Sequence, residues 1–170
     1  MATEKEDKND DVRLLIEQEK TLVFMEFDEA VAFKLGASMR DAALAAGHGI
    51  AVDVRTWERP LFYAALPGST ADHPHWIRRK ANLVQRVAKS SYRVVLEKEW
   101  PGDVFPPRRG LADADFVLAG GSFPIRVKGA GLIGAITASG LHERDDHRVV
   151  VEALCAHLGL DARRLALPAR

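Results

Sequence analysis

The sequence is poor in the features that most directly announce a chemistry. A single cysteine, Cys155, excludes an internal disulfide and any CxxC or zinc-type cluster, and it suits a reducing compartment. Lys plus Arg equal Asp plus Glu at 24 each, so no overall field draws the chain to nucleic acid or to an anionic membrane. The same neutrality removes long-range repulsion between copies and permits self-association. Aromatics make up only 7% of residues and no nucleic-acid motif is present, which argues against a nucleic-acid partner. No apolar run approaches the roughly 20 residues that cross a bilayer, and the polar segment Met1–Asp10 lacks the apolar centre of a secretory signal. A cytoplasmic protein without a membrane partner is expected.

At 170 residues, 47% hydrophobic, the chain is long enough for one domain with a sizeable core. Residues 1–9 read as a disordered tail, 10–160 as the domain and 161–170 as a frayed C-terminal tail. Helical spacing of Val12, Leu15 and Ile16 predicts a first helix over 10–20, and Leu22-Val23-Phe24 a short strand. Asp28 can cap a helix facing inward with Val31, Leu35, Met39, Ala42 and Ala46, closed by Gly47. Ile50, Val52 and Val54 alternate with polar or small residues as in a half-buried strand, and a second strand covers 61–66. Asp72 opens a helix carrying Ile77, Ala81, Val84 and Ala88. Residues 98–110, with Pro101-Gly102 and Pro106-Pro107, read as an exposed loop. A short helix over 113–119, a hairpin around Gly129-Ala130-Gly131 and a helix carrying Val151, Leu154, Cys155 and Leu158 follow. Adjacent hairpins with intervening helices predict an α/β (α+β) fold, a mainly antiparallel sheet flanked by helices.

Each candidate chemistry has a plain structural counterpart. Gly120-Gly121-Ser122-Phe123-Pro124 with Gly129, Gly131 and Gly134 is the densest glycine stretch. Its spacing is neither a phosphate-binding loop nor a dinucleotide fingerprint, so it reads first as turns and a tight hairpin. Ser139 and His142 bring a hydroxyl near an imidazole, but a nucleophile also needs contact and an orienting third group. His142 and His147 are five apart, about 140° round a helix, whereas a zincin needs them four apart on one face. Asp145 and Asp146 suit the helix dipole. Asp72-His73-Pro74-His75 reads as a helix N-terminus before it reads as a metal site. Arg78-Arg79-Lys80 with Arg86 and Lys89 forms a basic stripe that could hold a carboxylate or phosphate, or simply face solvent.

Taken in order, several segments resemble one family. They are 61–68 (LFYAALPG), 76–80 (WIRRK), Ser90-Ser91-Tyr92, Gly120-Gly121-Ser122-Phe123-Pro124-Ile125, 134–140 (GAITASG) and Asp146-His147. From about Phe27 to Leu158 the chain resembles the GlcG/HbpS-like proteins, the haem-degrading domain family, in its cytoplasmic branch. The resemblance implies a profilin-like α-β-α sandwich, a homo-oligomer, and haem or another small anion as ligand. Two segments depart from the pattern. Asp72-His73-Pro74-His75 stands where Asp-Asn-Asp is expected, and Ala88-Lys89-Ser90-Ser91 stands where Gly-His-Ser-Ser is expected.

The expected ligand site brings Arg79, Lys80, Ser90 and Ser91 to the Gly120-Gly121-Ser122-Phe123-Pro124 loop. His75 or His147 is the candidate metal or iron contact. Two other readings stand beside it: a small hydrolase or isomerase using His147 with Asp146 as acid and base, and an adaptor oligomer without a ligand.

Overall fold

The alternation at Ile50, Val52 and Val54 does build a strand, and that strand is the hub of the molecule. The computed structural model describes residues 4–169. Strand β1 (Ala51–Thr56) pairs antiparallel with β2 (Pro60–Ala65) on one side and with β4 (Gly131–Ser139) on the other. Strand β3 (Ser122–Val127) closes the order β2-β1-β4-β3. Pro124 is tolerated in β3 because this is an edge strand, where a missing ladder donor costs least.

Helices lie on both faces of the sheet. Helix α2 (Glu29–Ala45) and helix α5 (Glu143–Leu158) pack on one face, over Val52, Val54, Phe123, Ile125, Ile136 and Ala138. Helix α3 (His73–Val87) covers the other, where Ala81 and Val84 meet Ala135. Strand β1 is therefore buried on both sides rather than half-buried, with Ala51 and Asp53 under α3. Asp53 meets this burial with a bidentate Arg55 pair at 2.6 and 2.8 Å. Among the described residues this makes five α-helices and one four-stranded antiparallel sheet, the α+β sandwich expected.

The departures are local. Helix α1 (Glu4–Thr21) begins ahead of the expected residue 10, so residues 4–9 are helix rather than tail; residues 1–3 lie outside those described. Its charged first turns are good helix formers, and acidic side chains favour a helix N-terminus. The short strand at 22–24 reduces to one parallel bridge between Phe24 and Val127. Helix α2 is capped by Asp28 as expected, yet it buries Ala32 and Ala43 in place of Val31 and Ala42. A helix not foreseen, α4 (Ser91–Glu97), packs on α1. The expected helix over 113–119 is a turn and extended chain.

The 98–110 loop is not simply exposed. Phe105, with Leu111 beyond it, joins Leu83 and Val94 in a small second core. The C-terminal segment is anchored rather than frayed, since Leu165 is buried against the main core.

Gly36 of α2 sits against the Phe62 ring of β2, and a Cβ there would overlap ring atoms. Helix propensity alone favours Gly36→Ala by about 1 kcal/mol. We expect the overlap to dominate, making the variant less stable by about 1–3 kcal/mol in urea unfolding. A gain in stability would contradict this packing of α2 on β2.

Candidate functional site

The first turn of α3 fixes one wall of a cleft. Asp72 is the N-cap residue by position, but its carboxylate accepts the Trp76 indole N–H at 2.6 Å instead of capping the helix. The Thr70 backbone N–H donates to His73 Nδ1 at 2.8 Å. One turn on, the Arg79 guanidinium lies over the Trp76 ring, 4.5 Å from its centre, and reaches the Asp113 carbonyl at 3.4 Å.

Lys80 does something different from its two arginine neighbours. Positions 77, 80, 81 and 84 form one helical face by the i, i+3, i+4, i+7 rule, and all four residues are buried. The basic stripe is therefore divided: Arg78 and Arg79 reach the surface segment 113–115, while Lys80 enters the interior. Its ammonium donates to Asp146 Oδ2 at 2.9 Å and to the Ala138 carbonyl at 3.2 Å. The two side chains are 3% and 2% exposed. Asp146 also accepts the backbone N–H groups of Leu141 at 2.9 Å and Gly140 at 3.4 Å. One ion pair thus ties α3, the end of β4, the turn that follows it and the first turns of α5.

Gly121 lets the chain pass across this pair. Its φ of 116° lies where side chains are disfavoured, and a Cβ would sit 2.7 Å from Asp146 Cβ and 3.0 Å from Lys80 Nζ. Desolvation acts on both partners in the direction of the neutral pair. It pulls the Lys80 ammonium below its ordinary pKa and lifts the Asp146 carboxyl above its own, each opposed by the attraction between them.

A cleft of about 410 Å³ opens over the pair. Lys80, Asp146, Ser139, Leu141, Glu143 and Trp76 line it, together with His73, Ala119, Gly140 and His142. The ammonium has three donors, and the described residues give it two acceptors. Glu143 accepts the Gly120 N–H at 3.3 Å and adds a second carboxylate beside Asp146.

The other residues singled out from sequence are placed elsewhere. Ser91 Oγ accepts the Ser122 N–H at 3.0 Å, and Ser122 Oγ meets Thr137 Oγ1 at 2.8 Å, so these residues stitch α4 to the sheet. The Ser90 N–H donates to Glu19. Phe123 and Pro124 are buried in β3, and His75 is exposed on α3. His147 follows Asp146 in sequence but turns to Gln18, between the rings of Tyr92 and Phe123. Asp146 and His147 therefore do not form an acid–base pair. Among the described residues no group of three or more His, Cys, Asp or Glu could hold a metal ion, and no helix is long and apolar enough to cross a membrane.

Residues 27–155, which contain every residue of the cleft, match the family model described as haem degrading protein HbpS-like. The chain belongs to the HbpS-like family. A UPF0303 protein of Mesorhizobium japonicum is 56% identical over 158 residues, covering 93% of this chain and 95% of the relative. The crystal structure of Ybr137w protein superposes with a TM-score of 0.78 at 27% identity, covering 87% of each chain. That of a PduOC–heme complex superposes with a TM-score of 0.63 at 15% identity, covering 82% of this chain and 99% of that one, a likeness of fold.

A histidine ligates haem iron through a ring-nitrogen lone pair, and the histidines of this HbpS-like chain do not present one to the cleft. His73 and His142 both use Nδ1 to accept a backbone N–H, from Thr70 at 2.8 Å and Arg144 at 3.4 Å. In the neutral ring the proton then sits on Nε2, which becomes a donor. His147 is sealed in the core and His75 does not line the cleft. These residues do not fit a histidine-ligated haem.

His147 has a structural consequence of its own. Gln18 donates its amide N–H to the Leu165 carbonyl at 2.7 Å, so its oxygen accepts from His147 Nε2 at 2.8 Å, and the buried Nδ1 has no partner among the described residues. Burial, with repulsion from Arg144, pushes the imidazole pKa down to about 3. The unfolded chain takes up this proton below about pH 6.5, so between these values the unfolded state binds more protons. Stability is present above pH 6.5 and is lost as pH falls towards 3. We expect this group to cost about 2 kcal/mol between pH 7 and pH 5, read as the difference in chemical-unfolding free energy between the unchanged protein and His147→Gln. Parallel pH profiles would contradict the assignment.

Proposed function

We propose that this chain is a small-ligand-binding protein whose site is the cleft over Lys80 and Asp146. The observation that carries the reading is the buried Lys80 ammonium, which lines the cleft with one more N–H donor than its two protein acceptors use. A ligand oxygen is the natural third acceptor. Trp76 supplies a flat apolar wall, and His73 and His142 supply N–H donors at the rim.

Charge narrows the ligand class. Asp146 and Glu143 outnumber Lys80 in the cleft, and Arg79 is engaged outside it. This balance favours a neutral carbonyl compound over the multiply charged anion that a basic stripe would recruit. Haem is the ligand that the family description names. A haem carboxylate would meet Lys80, but the iron would find Nε2–H donors in place of a lone pair, so haem is the weaker fit.

Self-association belongs to the same proposal, with a second copy of the chain as the partner. Phe33 and Leu44 of α2 are 64% and 53% exposed, and eleven residues separate them, about 20° round the helix. Two exposed apolar side chains flanking the Arg40–Asp41 pair, on a chain of zero net charge, are suited to meeting the same face of a second copy. The reducing cytoplasm expected from the sequence suits the buried, unpaired Cys155.

Benzamide is a probe of this chemistry, with a neutral carbonyl, a flat ring and no ability to condense with an amine. We expect saturable, one-site shifts of the Gly140 and Leu141 amides and of the Trp76 indole N–H in nuclear magnetic resonance spectra. Lys80→Met and, at the rim, Trp76→Leu should each weaken binding about tenfold, the loss of one hydrogen bond or one ring contact. A haemin titration run beside it should show non-saturating uptake indifferent to His75→Ala, and light scattering should give a mass above one chain. Benzamide shifts scattered over the surface, or a stoichiometric Soret change lost in His75→Ala, would overturn the reading.

A further inference from the structure

A buried ion pair is a poor explanation of stability. Desolvating two charges often costs as much as their attraction returns, and apolar residues of similar size would hold α3 to α5 at least as well. Lys80 and Asp146 nevertheless sit under an open cleft, with the amine, the carboxylate and space for a ligand in contact. We propose that Lys80 condenses with a small aldehyde or ketone bound in this cleft to form an iminium, with Asp146 carrying the protons. The inference deepens the ligand-binding reading and rests on the same cleft.

The geometry supplies each requirement of that step. The Lys80 ammonium passes a proton to Asp146 Oδ2, 2.9 Å away, leaving a neutral amine. The nitrogen lone pair forms the C–N bond while the carbonyl π pair moves to oxygen. Asp146 returns its proton to that oxygen, giving a carbinolamine. Asp146 then removes a second proton from nitrogen and delivers it to the departing hydroxyl, which leaves as water as the C=N bond forms. The ammonium and the carbonyl compound become an iminium and one water, with no oxidant or reductant required.

The surroundings favour the sequence at both ends. Burial lowers the cost of the neutral amine, since it pulls the ammonium pKa down and lifts that of the carboxyl. The Leu141 and Gly140 N–H groups hold Asp146 in place through the proton transfers. The iminium carries the same single positive charge as the ammonium it replaces, so Asp146 and Glu143 keep their cationic partner. A surface lysine has none of this: it stays protonated at neutral pH.

The test is reductive alkylation of the full folded chain with acetaldehyde and cyanoborohydride at pH 7, mapped by peptide mass spectrometry. Each unit by which an amine's pKa is depressed raises its neutral fraction about tenfold. Lys80, although buried, should therefore be alkylated ahead of the exposed Lys34 and Lys128. Benzamide should slow Lys80 alone. Asp146→Asn removes the attraction that holds the Lys80 proton and so favours the neutral amine; with circular dichroism confirming the fold, loss of the proton carrier should nevertheless bring Lys80 below the exposed lysines without changing them. Lys80 that reacts last, or only after denaturant, overturns the iminium. If benzamide still binds in that case, the cleft reading survives; if benzamide also fails, both fall.

Discussion

The Lys80–Asp146 ion pair is the constraint around which the cleft and the elements that form it are arranged. It joins the helix on one face of the sheet to a helix on the other, across the end of β4. The turn after β4 takes its shape from the same carboxylate, through the Leu141 and Gly140 amides. Gly121 has to be glycine because the pair lies directly beneath it. The cleft is what remains above these groups once each has met the others. Stability does not call for such an arrangement, since an apolar contact would close the same gap without desolvating two charges. A charged pair under an open cleft is understandable as chemistry.

Most of the fold was legible in the sequence, because the long elements carry strong periodic patterns. Asp28, Gly47 and Gly159 bound their helices as their capping preferences indicate, while Asp72 marks the start of α3 by position alone. The misread segments are those in which tertiary contacts override pattern. Helix α4 is short and depends on α1 for its burial, and 113–119 is held by Arg78, Arg79 and Asn82 reaching across from α3. The 98–110 loop looked exposed because its prolines and glycines dominate the pattern, yet two aromatics, Trp100 and Phe105, fold it inward.

The site was legible only in part. Lys80 was singled out as one of a basic run, although its own position carries a sharper signal: it is the charged member of an otherwise apolar face at 77, 81 and 84. A cation in that place needs a buried partner, and Asp146, one turn into α5, is that partner. The glycine pair reads first as turns, and at Gly121 the fold also uses it for close approach to the protein's own ion pair. Neighbouring positions misled in the case of His147, since adjacent helical residues point about 100° apart. Trp76 stood out only within the 76–80 segment, and Leu141 and Glu143 were not singled out as site residues; they line the cleft because α3 and the β4–α5 turn converge there.

Membership of the HbpS-like family fixes the fold and leaves the chemistry to the site, as is usual for a fold that hosts more than one function. In this chain the proposed site is a desolvated Lys80–Asp146 pair beneath a cleft. The most direct measurement of that claim is a pH titration of the Lys80 side chain by nuclear magnetic resonance, using ¹³C-labelled lysine with Lys80→Arg to assign the signal. The account predicts that the Lys80 resonance titrates below the range of the exposed lysines, and that the Asp146 carboxyl titrates above the ordinary aspartate range. A Lys80 that titrates with the exposed lysines or above them would identify the pair as a permanently ionised tie and contradict the account.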